Sequence, residues 1–259
     1  MAYINEMIES GHAAELVKEG EEYHAAQLAR IAQDICARAG VRVVLIAGPS
    51  SSGKTSTSHR LCLELLAQGK QPVALSLDNW YVDGSLTPLK EDGSKDYESV
   101  YAIDLKQLEE DLKALIAGKE IALPTFNFAE EKREYQGDTL QLDDDTTLRR
   151  MSRDLRTRGK SPQMTIASWP SVVEGEVKWI EPFRSEADAE FDTSMNYELP
   201  AIRYTVERAL QTVPASAAEY EVAAQLLYYL SFFEGLEASF IPRTSILREF
   251  IGGSQFNVG

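Results

Sequence analysis

The apolar positions of this chain fall into runs of two kinds. Over residues 3–40 they recur at helical spacing: Leu28, Ile31, Ile35 and Cys36 share a stripe that Gly40 ends. Residues 41–47, Val-Arg-Val-Val-Leu-Ile-Ala, are instead nearly continuous, β-branched and of strand length. The helical lead-in is expected to pack beside that strand. A further helix carries Leu61, Leu65 and Leu66 and stops near Gly69, and a second strand spans residues 72–77 and runs into Asp78. Residues 78–100 are polar and are broken by Gly84, Pro88 and Gly93, which reads as a long loop. Asp104 then caps a helix with Leu108, Leu112, Leu115 and Ile116 on one face, ending at Gly118, and residues 121–128 are extended.

Downstream, no helix is read between residues 160 and 190, where Trp169-Pro170 falls, and residues 189–191 are extended. Helices follow over residues 199–213 and 220–233, the latter with Val222, Leu226, Leu227 and Leu230 as its stripe. A short one over residues 244–250 precedes Gly252-Gly253. Strands alternating with helices predict an α/β fold: a parallel sheet flanked by helices, with helical additions at both ends. The expected division is a lead-in over residues 1–40 and one domain over residues 41–259.

Charge narrows the partners. The 259 residues hold 26 Lys+Arg against 41 Asp+Glu, a net charge of −15, which argues against nucleic acid or an anionic membrane surface as the main partner. No apolar run has the length of a bilayer span, and the start shows no signal-peptide pattern. Cys36 and Cys62 lie on apolar helix faces and read as reduced thiols, so a cytoplasmic protein is expected. His12, His24 and His59 have no metal-ligand spacing.

The chemistry is concentrated between the first strand and the helix after it. Gly48-Pro49-Ser50-Ser51-Ser52-Gly53-Lys54-Thr55 fits G-x-x-x-x-G-K-[ST], a loop whose N–H groups curl round phosphate at a helix N-terminus. Lys54 is placed to reach the outer phosphates and the Thr55 hydroxyl to hold Mg²⁺. Asp78 ends the second strand on the edge where a parallel sheet collects ligands; it reads as a turn residue or as a carboxylate facing the reacting phosphate, as base or metal contact. Phe126 and its aromatic neighbours read as core or, less often, as a base-stacking shelf. Arg149, Arg150, Arg153, Arg156, Arg158 and Lys160 crowd together with only Asp154 against them. Such a cluster is either a solvated basic face or an arginine lid over transferring phosphates, and the upstream loop favours the lid.

The loop fixes the ligand class as a nucleoside triphosphate, and the chain lacks the Asn-Lys-x-Asp motif of a GTPase. The wider pattern resembles the uridine kinase / phosphoribulokinase family. The resemblance rests on residues 46–55, Ser76-Leu77-Asp78-Asn79-Trp80-Tyr81, Asp96-Tyr97-Glu98, residues 123–128, and Arg149 to Asp154 with Arg158-Gly159. The tail, residues 245–254, is similar to a long-chain bacterial branch of uridine or nucleoside kinases. The resemblance implies ATP- or GTP-dependent phosphorylation of a nucleoside 5′-hydroxyl, with Mg²⁺ as cofactor and uridine or cytidine as acceptor. It implies Asp78 as catalytic base, Tyr81, Glu98, Phe126 and Arg133 as contacts to the nucleoside, and Arg150, Arg153 and Arg158 as lid residues. A kinase for another small hydroxyl compound, or a nucleotide-binding module without catalysis, stands as the alternative.

One departure from the family pattern is plain. Relatives carry a buried strand ending in Glu-Gly, the Walker B position, between the base-pocket element and the lid. Here residues 139–142 pass through Asp143-Asp144-Asp145 directly into Thr146-Thr147-Leu148-Arg149. A segment therefore reads as missing between about residues 142 and 146, and without it a parallel sheet lacks a central member.

Overall fold

The computed structural model describes residues 1–49, 52–135, 139–140 and 162–256. The lead-in forms α1 (Ala2–Glu9) and α2 (Ala13–Ala37), separated by a turn at Gly11, whose φ of 82° favours glycine. The stripe of α2 docks on α3 (Lys54–Ala67). Leu28 and Ala32, with Ile31, Ile35 and Cys36 beside them, pack on Leu61 and Leu65, and Ile46 joins the same cluster. Burying each of these leucines contributes on the order of 2 kcal/mol. The lead-in thus rests on the helix after the glycine loop, touches the expected first strand through Ile46, and at its other end buries Ala13, Leu16 and Val17 against Tyr197, Ile246 and Leu247. An ion pair fixes the two helices further, with Arg60 Nη1 of α3 3.1 Å from Glu21 Oε2 of α2 and both side chains largely buried.

Asp104 caps α4 (Leu105–Ile116) as expected, accepting a hydrogen bond from the Gln107 N–H at 3.1 Å. Four short strands follow: β1 (Ile121–Ala122), β2 (Thr125–Asn127), β3 (Lys132–Glu134) and β4 (Thr139–Leu140). They pair antiparallel as β1–β4 and β2–β3, with Phe126 opposite Arg133. The remaining helices are α5 (Pro162–Trp179), α6 (Glu198–Leu210), α7 (Tyr220–Leu230) and α8 (Arg248–Ile251).

The parallel sheet expected from the sequence is not found among the described residues. Residues 41–47 and 72–76 have no strand assignment and no ladder partner. Val41, Val43, Val44 and Leu45 are exposed, Leu45 to 80%. A parallel strand is stable only with neighbours hydrogen-bonded to it and helices over its faces. Both runs keep strand composition without strand pairing.

Two further differences have local causes. Helix α5 runs through Pro170, where no helix was expected. Pro170 itself is exposed and leaves only the Ile166 carbonyl without its usual helical donor. On α7 the buried positions are Ala223 and Leu230, with Leu227 beside them against Leu210 and Val213, while Val222 and Leu226 are exposed. The helix is apolar nearly all round, and its packing against α6 chose the face one residue along. Among the described residues, no helix is long and apolar enough to cross a membrane.

Candidate functional site

Gly53 takes the left-handed conformation, φ 76°, at the N-terminus of α3, which a β-carbon would strain. At Gly48 a β-carbon would come within 2.8 Å of Ser52 Oγ, so a larger residue would have to displace that hydroxyl. Lys54, the first residue of α3, turns its ammonium back into this curve, donating to the carbonyls of Gly48 at 2.9 Å and Pro49 at 2.7 Å. Burial lowers the Lys54 pKa, and the charges of Asp78, Glu98 and Glu249 oppose that shift. Thr55 follows, half-buried, in the first turn. Ser50 and Ser51 lie outside the described residues. The loop, the helix N-terminus and the lysine make a cradle that suits a phosphate chain.

Asp78 sits in a single 3₁₀ turn, Leu77–Trp80, set by the full burial of Trp80 among Leu115, Ile121 and Leu123. The expected strand before it therefore delivers Asp78 into the electrostatic neighbourhood of Lys54 without being paired. Tyr81, one residue beyond the turn, meets three other rings edge-on: Tyr97 at 5.7 Å, Phe126 at 5.3 Å and Phe128 at 6.1 Å. Its hydroxyl donates to the Tyr97 carbonyl at 3.3 Å. Burial and the Glu131 carboxylate push the Tyr97 phenol up to about 12. Phe126 is buried, so of the two readings of these aromatics its own ring is core, with Tyr81 forming the more open edge.

Arg133 stands across from Phe126 on β3. Its Nη2 donates to Asp104 Oδ2 at 2.8 Å, which holds the Asp104 carboxyl below its usual range, while Nη1 is buried without a partner among the described residues. Glu98 is exposed and lies close to α5 at Gly175, where a β-carbon would come 3.0 Å from the Glu98 Cβ. The structure thus gathers Lys54, Asp78 and Glu98 electrostatically, and Tyr81, Phe126 and Arg133 through β2 and β3. Arg150, Arg153 and Arg158, and the junction at residues 142–146, lie outside the described residues.

Glu249 was not singled out from the sequence. It comes from α8, near the far end of the chain, and accepts from Ser56 Oγ at 2.6 Å and Ser56 N at 3.3 Å. Helical spacing says nothing about so distant a partner.

Comparison with known proteins places these features. Residues 43–146 match the phosphoribulokinase / uridine kinase family. The uridine kinase of Tolumonas auensis is 28% identical over 179 residues, covering 56% of this chain and 84% of that protein. The uridine kinases of Yersinia pestis, 29% identical over 179 residues, and Lactobacillus helveticus, 26% over 177, also cover 56% of this chain, and 84% and 83% of their own lengths. Since 56% of 259 residues is about 145, the Tolumonas protein brings about 34 more residues to its match than this chain does. The family match ends at residue 146. Over residues 43–146, from just before its glycine loop onward, the chain is similar to the phosphoribulokinase / uridine kinase family.

Proposed function

We propose that this chain is a nucleoside kinase that transfers the γ-phosphoryl group of ATP to a nucleoside 5′-hydroxyl, with uridine and cytidine as preferred acceptors. The observation that carries this reading is the convergence on Lys54: a phosphate cradle at the start of α3, with the Asp78 and Glu98 carboxylates acting on the same ammonium. GTP is the alternative donor.

In this reading the N–H groups of residues 48–55 and the Lys54 ammonium hold the triphosphate. The glycine conformation, the closed turn and the helix N-terminus fit that ligand. The Thr55 hydroxyl, in the first turn of α3, is the residue that would hold Mg²⁺ beside the phosphates. Bound there, Mg²⁺ supplies positive charge against the phosphate oxygens. Asp78 takes the proton of the 5′-hydroxyl. The freed oxygen bonds to the γ-phosphorus, the bond from that phosphorus to the β–γ bridging oxygen breaks, and ADP leaves with the electron pair. Positioning and charge stabilisation supply most of the rate. Tyr81 and Phe126 line the acceptor, Glu98 contacts its sugar, and the orphan Nη1 of Arg133 is a donor available to its base. Arg150, Arg153 and Arg158 add positive charge over the transferring group.

A second reading, a nucleotide-binding module without turnover, is supported by one observation: the exposed, unpaired run at residues 41–47. ADP release measured over a panel of uridine, cytidine, purine nucleosides, pantothenate and ribulose 5-phosphate separates the two. Turnover highest with uridine or cytidine supports the kinase. ATP binding with no turnover on any acceptor supports the module, and turnover only on a phosphorylated sugar overturns the choice of acceptor.

A further inference from the structure

The tail that ends in α8 is built onto the phosphate loop from two sides. Ile246 packs on the loop itself, its Cδ1 3.7 Å from where a Gly53 β-carbon would stand. Ser245, fully buried, lies 3.4 Å from the Tyr197 hydroxyl, which donates to Glu21 Oε1 at 2.6 Å; Glu21 in turn pairs with Arg60 of α3. Between these anchors and the loop, Ile246, Leu247 and Phe250 face Ser52 across a cavity of about 210 Å³. The tail therefore has little freedom to leave, and Glu249 is carried to α3 by a rigid neighbour.

The place it reaches matters. The first N–H of α3 satisfied inside the helix is that of Thr57, which donates to Gly53 O at 2.9 Å. The N–H groups of residues 53–56 precede it, and these are the donors a helix offers to an anion. One of them, Ser56 N, points at Glu249 Oε2, and the buried Ser56 hydroxyl holds the same oxygen at 2.6 Å. Glu249 also counts among the three carboxylates whose charge acts on Lys54. A carboxylate so placed does to the helix N-terminus what a phosphate oxygen does.

We propose that Glu249 is an internal anion that competes with the nucleotide's phosphates for the first turn of α3, so that the C-terminal tail restrains triphosphate binding. The proposal rests on residues 48–55 being the phosphate loop. Both of its physical consequences have one sign: removing the carboxylate frees a donor and removes a like charge. Binding of Mg²⁺-ATP, inorganic tripolyphosphate and adenosine is measured by calorimetry for the wild type, Glu249→Ala, Glu249→Gln and Ser56→Ala, with thermal unfolding in parallel. Glu249→Ala is expected to bind ATP and tripolyphosphate about tenfold more tightly, with adenosine unmoved. Glu249→Gln should fall between, since its amide oxygen still accepts but carries no charge. Ser56→Ala, which removes the shorter of the two contacts, should shift in the same direction, and it decides the matter if Glu249→Ala does not fold. A purely structural cap would instead lower the melting temperature and leave the phosphate affinities unchanged or weaker, and that outcome overturns the proposal. Tighter tripolyphosphate binding in a chain that phosphorylates no nucleoside would sink the kinase reading and leave this one standing. A wild type and variants that bind neither phosphate compound would remove both.

Discussion

Trp80 Nε1 donates to Asp111 Oδ2 at 2.8 Å, and both side chains are buried. The bond ties the 3₁₀ turn that carries Asp78 to the middle of α4. Gln107 Nε2 donates to the other Asp111 oxygen at 2.9 Å, so the carboxylate is held from two sides. Asp111→Ala leaves the indole N–H buried without an acceptor and is expected to cost about 1–3 kcal/mol. Because the turn positions Asp78, turnover should fall further than ATP affinity, which depends on the loop at Lys54. Chemical denaturation and a separate ATP titration check the two halves. Wild-type stability in Asp111→Ala would show that the bond does not hold the turn.

Residues 41–47 predict the behaviour of the chain in solution. A run of strand composition with Leu45 at 80% exposure and no ladder is a template for pairing with another copy. Leu45→Lys is expected to raise the concentration at which light scattering appears and to reduce binding of an apolar dye, with little change in folding stability. The side chain is already in water, so its loss removes no core contact. A variant that scatters as the wild type does would mean that the run is covered in solution.

What the sequence disclosed divides along a physical line. Features fixed by neighbours in the chain were legible: the Asp104 cap, the stop of α4, the stripe of α2 and the glycine loop before Lys54. Features that depend on a partner far away were not. Residues 41–47 and 72–77 read as strands because Val, Ile and Leu fit a pleated core, but composition does not supply the neighbour that makes a ladder. Helix α5 was hidden because Pro170 is a valid breaker signal that an exposed position overrode. At the site, Lys54 and Asp78 were found from their motifs, whereas Glu249 acts on α3 from 193 residues away and no local pattern marks it.

Acidification offers a test of the packing between α2 and the segment before α6. His24 is buried, its Nε2 3.0 Å from the Ser194 carbonyl, so it is the donor there, and its ring meets Phe191 edge-on at 5.0 Å. Burial lowers its pKa below 6.5, with the Arg60 charge adding to the shift, and burial lowers that of His59 as well. With both folded values depressed, the unfolded chain binds more protons once the pH drops below 6.5, so stability falls from there toward the folded values. Glu198, raised by burial, works the other way but only nearer its own range around 4.5. Unfolding free energy should therefore decrease between pH 7 and about pH 5.5, and less steeply in His24→Gln, which keeps a donor for Ser194 without a titrating ring. Equal slopes in the two proteins would assign the acid sensitivity to other groups.

The last expectation separates Asp78 from the charges that hold ATP. In the proposed reaction Asp78 removes the acceptor's proton, so Asp78→Asn should lower kcat by on the order of 10²–10⁴, the range for a lost general base. ATP affinity should barely change, because the amide keeps the side chain's size and the phosphates are held by the loop and Lys54. Lys54→Ala should do the reverse at the binding step, removing most ATP affinity while leaving the melting temperature near that of the wild type. Its ammonium makes hydrogen bonds only to the carbonyls of Gly48 and Pro49 among the described residues, and its burial already disfavours the charge. Arg153→Ala should lower kcat and raise KM for ATP together, since guanidinium–phosphate contacts exist partly in the ground state. ATP titrations and steady-state kinetics on the three variants distinguish the roles. Loss of Mg²⁺-ATP binding in Asp78→Asn, with turnover per bound ATP preserved, would make Asp78 a metal contact and would move the base to another carboxylate, such as Glu98, whose charge also acts on Lys54.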